Sequence, residues 1–154
     1  MAKSTYVYVI YIRTTPEKLW AALTDAEFTQ RYWFGMRSES AWKAGSPWKL
    51  VDGKGEVWDA GEVMEVDPPR RVVLRWHHQN KPELKAEGDS FCTMQLEPEE
   101  AAVKLTITHT IDREHSKVIE AVSGGWPKVL SNLKSLLENG ALALDEPYHA
   151  KRAS

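Results

Sequence analysis

The chain has very little cysteine: Cys92 is alone, so no internal disulfide can form. That scarcity fits a reducing cytoplasm, the compartment expected from the sequence. Lysine and arginine never run beyond two in a row, and the formal net charge is −2. Clustered cations are what a nucleic-acid surface needs, so no nucleic-acid partner is expected. No apolar run approaches the ~20 residues that cross a bilayer, so no membrane insertion is expected. The opening residues MAKSTYVYV hold no apolar core between a basic start and a cleavage site, so no secretory leader is expected. There is no G-x-S-x-G elbow, no Gly-rich phosphate loop after a strand, no H-E-x-x-H and no C-x-x-C. On that basis the sequence assigns no cofactor, no metal site and no catalytic residue.

What is present is aromatic. Seven tryptophans in 154 residues call for a large aromatic core or an aromatic-lined pocket. Apolar residues make up 42% and charged residues 27%, the balance of one soluble globular domain. The strongest periodic signal is HSKVIEAVSGGWPKVLSNLKSLLENG, residues 115–140. Val118, Val122, Trp126, Val129, Leu130, Leu133, Leu136 and Leu137 recur at helical spacing and form one apolar stripe. Ser123, Lys128, Asn132, Lys134, Ser135 and Glu138 fall on the other faces, and Gly140 stands where a C-cap tolerates the left-handed conformation. Each stripe side chain is worth ~1.5–3 kcal/mol if fully buried. No second helix of this length is predicted, so the partner must be a sheet.

Gly124-Gly125-Trp126-Pro127 interrupts that helix without breaking its apolar register. Pro127 has no N–H for the carbonyl four residues back, so the helix is expected to kink or to restart there. Two readings stand for Trp126: a packed core side chain at a kink, or one bordering an internal cavity at a weak point in the helix.

The remaining elements follow in order. TYVYVIYIR, residues 5–13, reads as a strand. Thr15 is placed to cap a helix with Pro16 in its first turn, and Asp25 to cap a second short helix carrying Phe28 and Tyr32. Strands are predicted at 36–42, 47–51, 56–66 (with Gly61 as a bulge), 70–78, 90–96 and 103–111. Asp52-Gly53-Lys54-Gly55 is a hairpin turn, Asp67-Pro68-Pro69 a corner, residues 79–89 an exposed loop, and residues 97–100 an acidic turn. Consecutive strands with short turns make an antiparallel sheet. The expected fold is α+β: a curved antiparallel sheet of six to seven strands around a long C-terminal helix, with two short helices after strand one. One domain is expected over residues 1–140, followed by a polar tail over 141–154.

Strand parity selects the inward faces. Val103, Leu105, Ile107, His109 and Ile111 share one side of the last strand, Val72, Leu74, Trp76 and His78 one side of strand 70–78, and Cys92, Met94 and Leu96 one side of strand 90–96. If these strands are sequential antiparallel neighbours, His78, Cys92 and His109 meet toward one end of the concave face. The adjacent His77 and His78 point to opposite sides and give no tight ligand pair for zinc, which needs three or four ligands. Polar anchors in an apolar cavity are the better use for these histidines. The candidate lining is Trp76, His78, Cys92, Met94, Ile107 and His109 from the sheet, Trp126 and Leu130 from the helix, and Trp33 and Phe34 from the end of the second short helix. No acidic residue shares the concave parity of those three strands, which argues against an acid–base enzyme.

The segments TTPEKLWAALTD, YWFG, VDPPRRVVLRW, VKLTITHT and SGGWPKVLSNLKSLLENG, in that order, resemble the bacterial single-domain relatives of the Hsp-90 ATPase activator C-terminal domain. That family belongs to the START-like (SRPBCC, birch-pollen-allergen-type helix-grip) superfamily, and the resemblance covers about residues 5–140. It implies the helix-grip fold with a cavity between sheet and last helix. It fixes no activity, because the superfamily spans lipid carriers, hormone receptors, cyclases and co-chaperones. The eukaryotic co-activator carries an additional N-terminal domain that engages the chaperone, and this chain is expected to lack one. A small hydrophobic or aromatic ligand is therefore the expected partner, and a chaperone the alternative. A cyclase or hydrolase using a pocket histidine is a third reading. A monomer or a homodimer both fit the exposed strand edges.

Overall fold

The computed structural model describes residues 3–144. Seven strands form one antiparallel sheet in the order β1-β7-β6-β5-β4-β3-β2. They are β1 (Ser4–Ile12), β2 (Arg37–Ser40), β3 (Pro47–Val51), β4 (Val57–Asp67), β5 (Arg71–His78), β6 (Ser90–Glu99) and β7 (Ala102–Ile111). Helices α1 (Pro16–Thr24) and α2 (Ala26–Tyr32) follow β1, α3 (Pro82–Lys85) follows β5, and α4 (Lys117–Asn139) follows β7. The curved sheet with a long C-terminal helix and two short helices after strand one is the expected α+β architecture. Among the described residues no helix is long and apolar enough to cross a membrane.

The caps form as the side-chain chemistry dictates. Thr15 Oγ1 accepts from the Lys18 N–H at 3.2 Å, and Asp25 Oδ1 from the Glu27 and Phe28 N–H groups at 2.8 and 3.3 Å. Ser116 caps α4 through the Ile119 N–H, and Gly140 closes it at φ 77°, donating its N–H to the Leu136 carbonyl. The inward faces also follow parity. In β7, Val103, Leu105, Ile107 and His109 are fully buried, while the threonines between them lie on the other face. β5, β6 and β7 are sequential neighbours, with Leu74 opposite Cys92 and Cys92 opposite His109.

Five local expectations are corrected. Of the two alternatives at Pro127, the restart is excluded, because α4 runs through it as one helix. Asn132, placed on a polar face by periodicity, is fully buried. Its Oδ1 accepts the Ala143 and Leu144 N–H groups, and its Nδ2 donates to the Leu144 carbonyl. The start of the tail is thus pinned against α4; the rest of the tail expectation, residues 145–154, lies outside the described residues. Against β5, β4 bulges at Met64, not Gly61, because Val63 pairs with Leu74 and Glu65 with Val73. Gly61 has a different purpose: a Cβ there would lie 1.7 Å from the Arg75 carbonyl oxygen. Residues 79–89 are not a plain loop, since α3 buries Leu84 beside Ile111 and Val118. Finally, β6 continues through Pro98 to Glu99, so the acidic turn begins later than expected.

Candidate functional site

The tryptophans converge where α4 crosses the sheet. Trp76 of β5 packs against Trp48 of β3, with ring centres 4.4 Å apart, against Trp126 of α4 at 5.9 Å and against His109 of β7 at 5.2 Å. Trp33, just past the end of α2, closes on Trp126 at 5.3 Å. Aromatic pairs at such separations each add about 0.5–1.5 kcal/mol beyond burial. They also build a rigid wall.

That wall bounds an open cleft of about 590 Å³ between the outer half of the sheet and α4. The cleft is lined by Trp33, Phe34, Met36 and Arg31 from the α2 end, by Leu50, Asp52, Trp58 and Asp59 from β3, β4 and the turn between them, and by Trp76 and His78 from β5. Asn80, Lys81 and Leu84 approach from the α3 segment, and Val122, Gly125, Trp126 and Val129 from α4. Gly125 contributes by having no side chain: a Cβ there would meet nothing within 4 Å. Trp126 is at once packed into the core and part of the cleft wall.

Of the ten sequence-chosen candidates, Trp33, Phe34, Trp76, His78 and Trp126 border this cleft. Cys92, Met94, Ile107, His109 and Leu130 do not; they lie in the core away from the opening. The reason is the position of α4: it packs over β1 and β7, and the opening is displaced toward β3–β5. Burial pushes the Cys92 thiol up, the reverse of an activated nucleophile. Among the described residues no cluster of His, Cys, Asp and Glu has the geometry to hold a metal ion.

His109 is a structural node. Its Nδ1 accepts from the Trp126 indole N–H at 3.3 Å, which leaves the ring proton on Nε2 to be donated to Ser90 Oγ at 2.8 Å. Ser90 Oγ in turn donates to the Trp76 carbonyl at 3.2 Å. Burial first, then the nearby His78, brings the His109 pKa down to about 3.

The residue that sequence reasoning missed is Asp59. It sits directly opposite His78 in the β4–β5 ladder, so both side chains share the concave face. Asp59 Oδ1 lies 3.6 Å from His78 Nε2, with side chains only 11% and 14% exposed. Burial raises the Asp59 pKa to about 7, the Trp76 indole partly opposing the rise. That indole N–H makes no hydrogen bond of good geometry and acts on Asp59 as a nearby dipole. His78 is brought down to about 4, by burial first and then by His77 and Lys81. The imidazole is therefore neutral across the range in which Asp59 titrates, and the contact is not an ion pair. Strands 70–78, 90–96 and 103–111 carry no acid of concave parity, and the acid belongs to β4. The signal that finds it is alternation: Asp59, Gly61 and Val63 are the inward set of β4.

A curved antiparallel sheet gripping a long C-terminal helix over an aromatic cleft defines the helix-grip class. The chain belongs to the family described as activator of Hsp90 ATPase homolog 1-like protein, whose model matches residues 13–138. Among solved structures, it is similar to an Hsp90 activator from Plasmodium falciparum at 25% identity and a TM-score of 0.70, covering 86% of this chain and 95% of that one. A protein from Mesorhizobium loti aligns at 24% identity and 0.76, covering 90% and 100%. The Aha1 dimer from Colwellia psychrerythraea aligns at 23% and 0.72, covering 89% and 98%. No curated protein matches significantly.

Proposed function

We propose that this protein binds a small hydrophobic or aromatic molecule in the cleft between the sheet and α4. The observation that carries the reading is the cleft itself: about 590 Å³, walled by Trp33, Trp76 and Trp126, with few polar groups. That size falls within the ~300–1,000 Å³ usual for small-molecule sites, and that composition is theirs too. Trp33, Phe34, Trp76, His78 and Trp126 are the proposed contacts. The lone, buried Cys92 supports a reducing cytoplasm as the compartment. The test is displacement of an apolar fluorophore by lipid, fatty-acid and aromatic competitors, on the wild-type protein and on Trp126→Ala. Saturable binding that a competitor displaces and the substitution weakens is expected. A folded protein with no saturable binding would sink the reading.

A second reading, an interaction with another protein, is favoured by one surface feature. Val7, Val9 and Tyr11 stand exposed in a row along edge strand β1, at 55%, 43% and 47%. The neighbour described as an Hsp90 activator and the one described as a dimer make a chaperone and a second copy the partners to try. Val7→Lys with Val9→Lys should then abolish association seen by light scattering or by pull-down with purified chaperone. Association unchanged by these substitutions would remove β1 from consideration.

A further inference from the structure

Two aspartates line the cleft, and their situations are opposite. The Asp52 carboxylate is fully engaged: Oδ1 accepts the Lys54 and Glu56 N–H groups at 2.8 and 3.0 Å, and Oδ2 accepts the Trp58 indole N–H at 2.9 Å. Those bonds, led by the one from Trp58, hold its pKa below the ordinary value. Asp52 is a turn-forming residue that happens to border the opening. Asp59 is buried, yet no hydrogen bond of good geometry reaches its carboxyl: the Trp76 indole N–H is close enough to act on it but not aligned, and His78 Nε2 stands 3.6 Å away. Burying a carboxyl without partners is costly even when it is neutral. Neither the Trp76 indole nor His78 completes that bond. Asp59 faces the cleft, and around it the walls are Leu50, Trp58 and Trp76.

We propose that Asp59 is the polar anchor of the cleft. The ligand class it selects is an uncharged, flat aromatic molecule bearing one hydroxyl, which bonds the Asp59 carboxyl while the ring lies among Trp33, Trp76 and Trp126. The inference rests on the ligand-binding reading above and narrows it. A hydroxyl suits this carboxyl in either protonation state, because it can accept from the acid and donate to the carboxylate. A ligand carboxylate at this depth would meet Asp59 and Asp52 and lose its own hydration without a cation to replace it. The lining cations, Arg31 and Lys81, come from α2 and the α3 segment rather than from the sheet wall that holds Asp59. A purely apolar ring would leave the carboxyl as unsatisfied as before.

The experiment titrates naphthol, naphthalene and naphthoate into the full-length protein at mildly acidic pH, read by tryptophan fluorescence and calorimetry. Naphthol is expected to bind about tenfold more tightly than naphthalene, as one net hydrogen bond provides, and naphthoate more weakly than naphthol. Asp59→Ala should erase the preference for naphthol over naphthalene, and Asp59→Asn, which keeps a hydrogen-bonding group of the same shape, should retain part of it. Equal binding of naphthol and naphthalene would overturn the assignment while leaving a ligand cleft in place. So would a preference that survives in Asp59→Ala, or naphthoate as the tightest of the three. Failure of all three to bind would overturn the ligand-binding reading and this one together. The three-probe comparison on wild type needs no variant, and Asp59→Asn carries the substitution arm if Asp59→Ala does not fold.

Discussion

The indole N–H of Trp126 on α4 donates to Nδ1 of His109 on β7, at 3.3 Å inside the core. This bond ties the helix to the sheet at the closed end of the cleft, and it fixes the histidine tautomer that lets Nε2 serve Ser90. Trp126→Phe keeps most of the ring but removes the donor and leaves a buried acceptor unsatisfied. It should cost about 1–3 kcal/mol in denaturant unfolding, with a lower midpoint and an unchanged slope. Nitrogen chemical shifts should report the Nε2–H tautomer for His109 in the wild-type protein. A neutral Trp126→Phe would show that packing alone holds this end together.

Stability should fall on acidification, with a slope set by three buried groups. His78 and His109 have folded pKa values of about 4 and 3, below the ordinary 6.5. Below pH 6.5 the unfolded chain binds protons that the folded protein refuses, so their contribution is lost as pH falls toward those values. Asp59 works in the opposite sense. Its folded pKa of about 7 exceeds the ordinary 3.8, so it favours folding as pH falls through 7 toward 4. Between about pH 4 and 6.5, two histidines against one aspartate leave one net proton, a loss of about 1.4 kcal/mol per pH unit. In Asp59→Asn the opposing group is gone, so that slope should about double, and the variant should melt higher than wild type in alkaline buffer. Unchanged acid sensitivity in Asp59→Asn would mean that Asp59 does not titrate in this window.

The two adjacent glycines of α4 should respond differently to substitution. Gly124 is exposed and Gly125 borders the cleft, and a Cβ on either meets nothing within 4 Å. Gly124→Ala should stabilise the protein by up to about 1 kcal/mol through helix propensity alone, without altering dye binding. Gly125→Leu should fill part of the cleft and reduce dye affinity at least several-fold while the protein stays folded. Full dye binding by Gly125→Leu would place the bound dye elsewhere.

Gly61 is held by a different constraint. An alanine methyl there would overlap the Arg75 carbonyl, so Gly61→Ala must push β4 and β5 apart beside Asp59 and His78. Destabilisation of at least about 2 kcal/mol is expected, measured by thermal melting against a wild-type control. A melting temperature within a degree or so of wild type would show that the ladder yields easily at this point.

Buried Asn132 marks where periodicity stops being informative. On spacing alone it falls outside the apolar stripe, one turn after Lys128, yet it is enclosed because residues 143 and 144 fold back and present backbone groups to it. The same limit applies at Asp59. Its inward parity is written in β4, but its chemistry comes from facing His78 across a strand pair whose register a bulge at Met64 adjusts.

Helix caps, strand parity, the apolar stripe of α4 and the family motifs are local or periodic properties, and the sequence alone determined them. It determined the helix-grip architecture for the same reason, since one long amphipathic helix and a run of alternating strands have few ways to bury their apolar faces together. Which half of the concave face stays open was decided only by the tertiary structure. The packing of α4 over β1 and β7 left His109, Cys92, Met94, Ile107 and Leu130 in the core and Trp33, Phe34, Trp76, His78 and Trp126 around the cleft with Asp59. Enclosure depends on what packs above a residue, and that is a relation between distant segments which no spacing within one strand can encode.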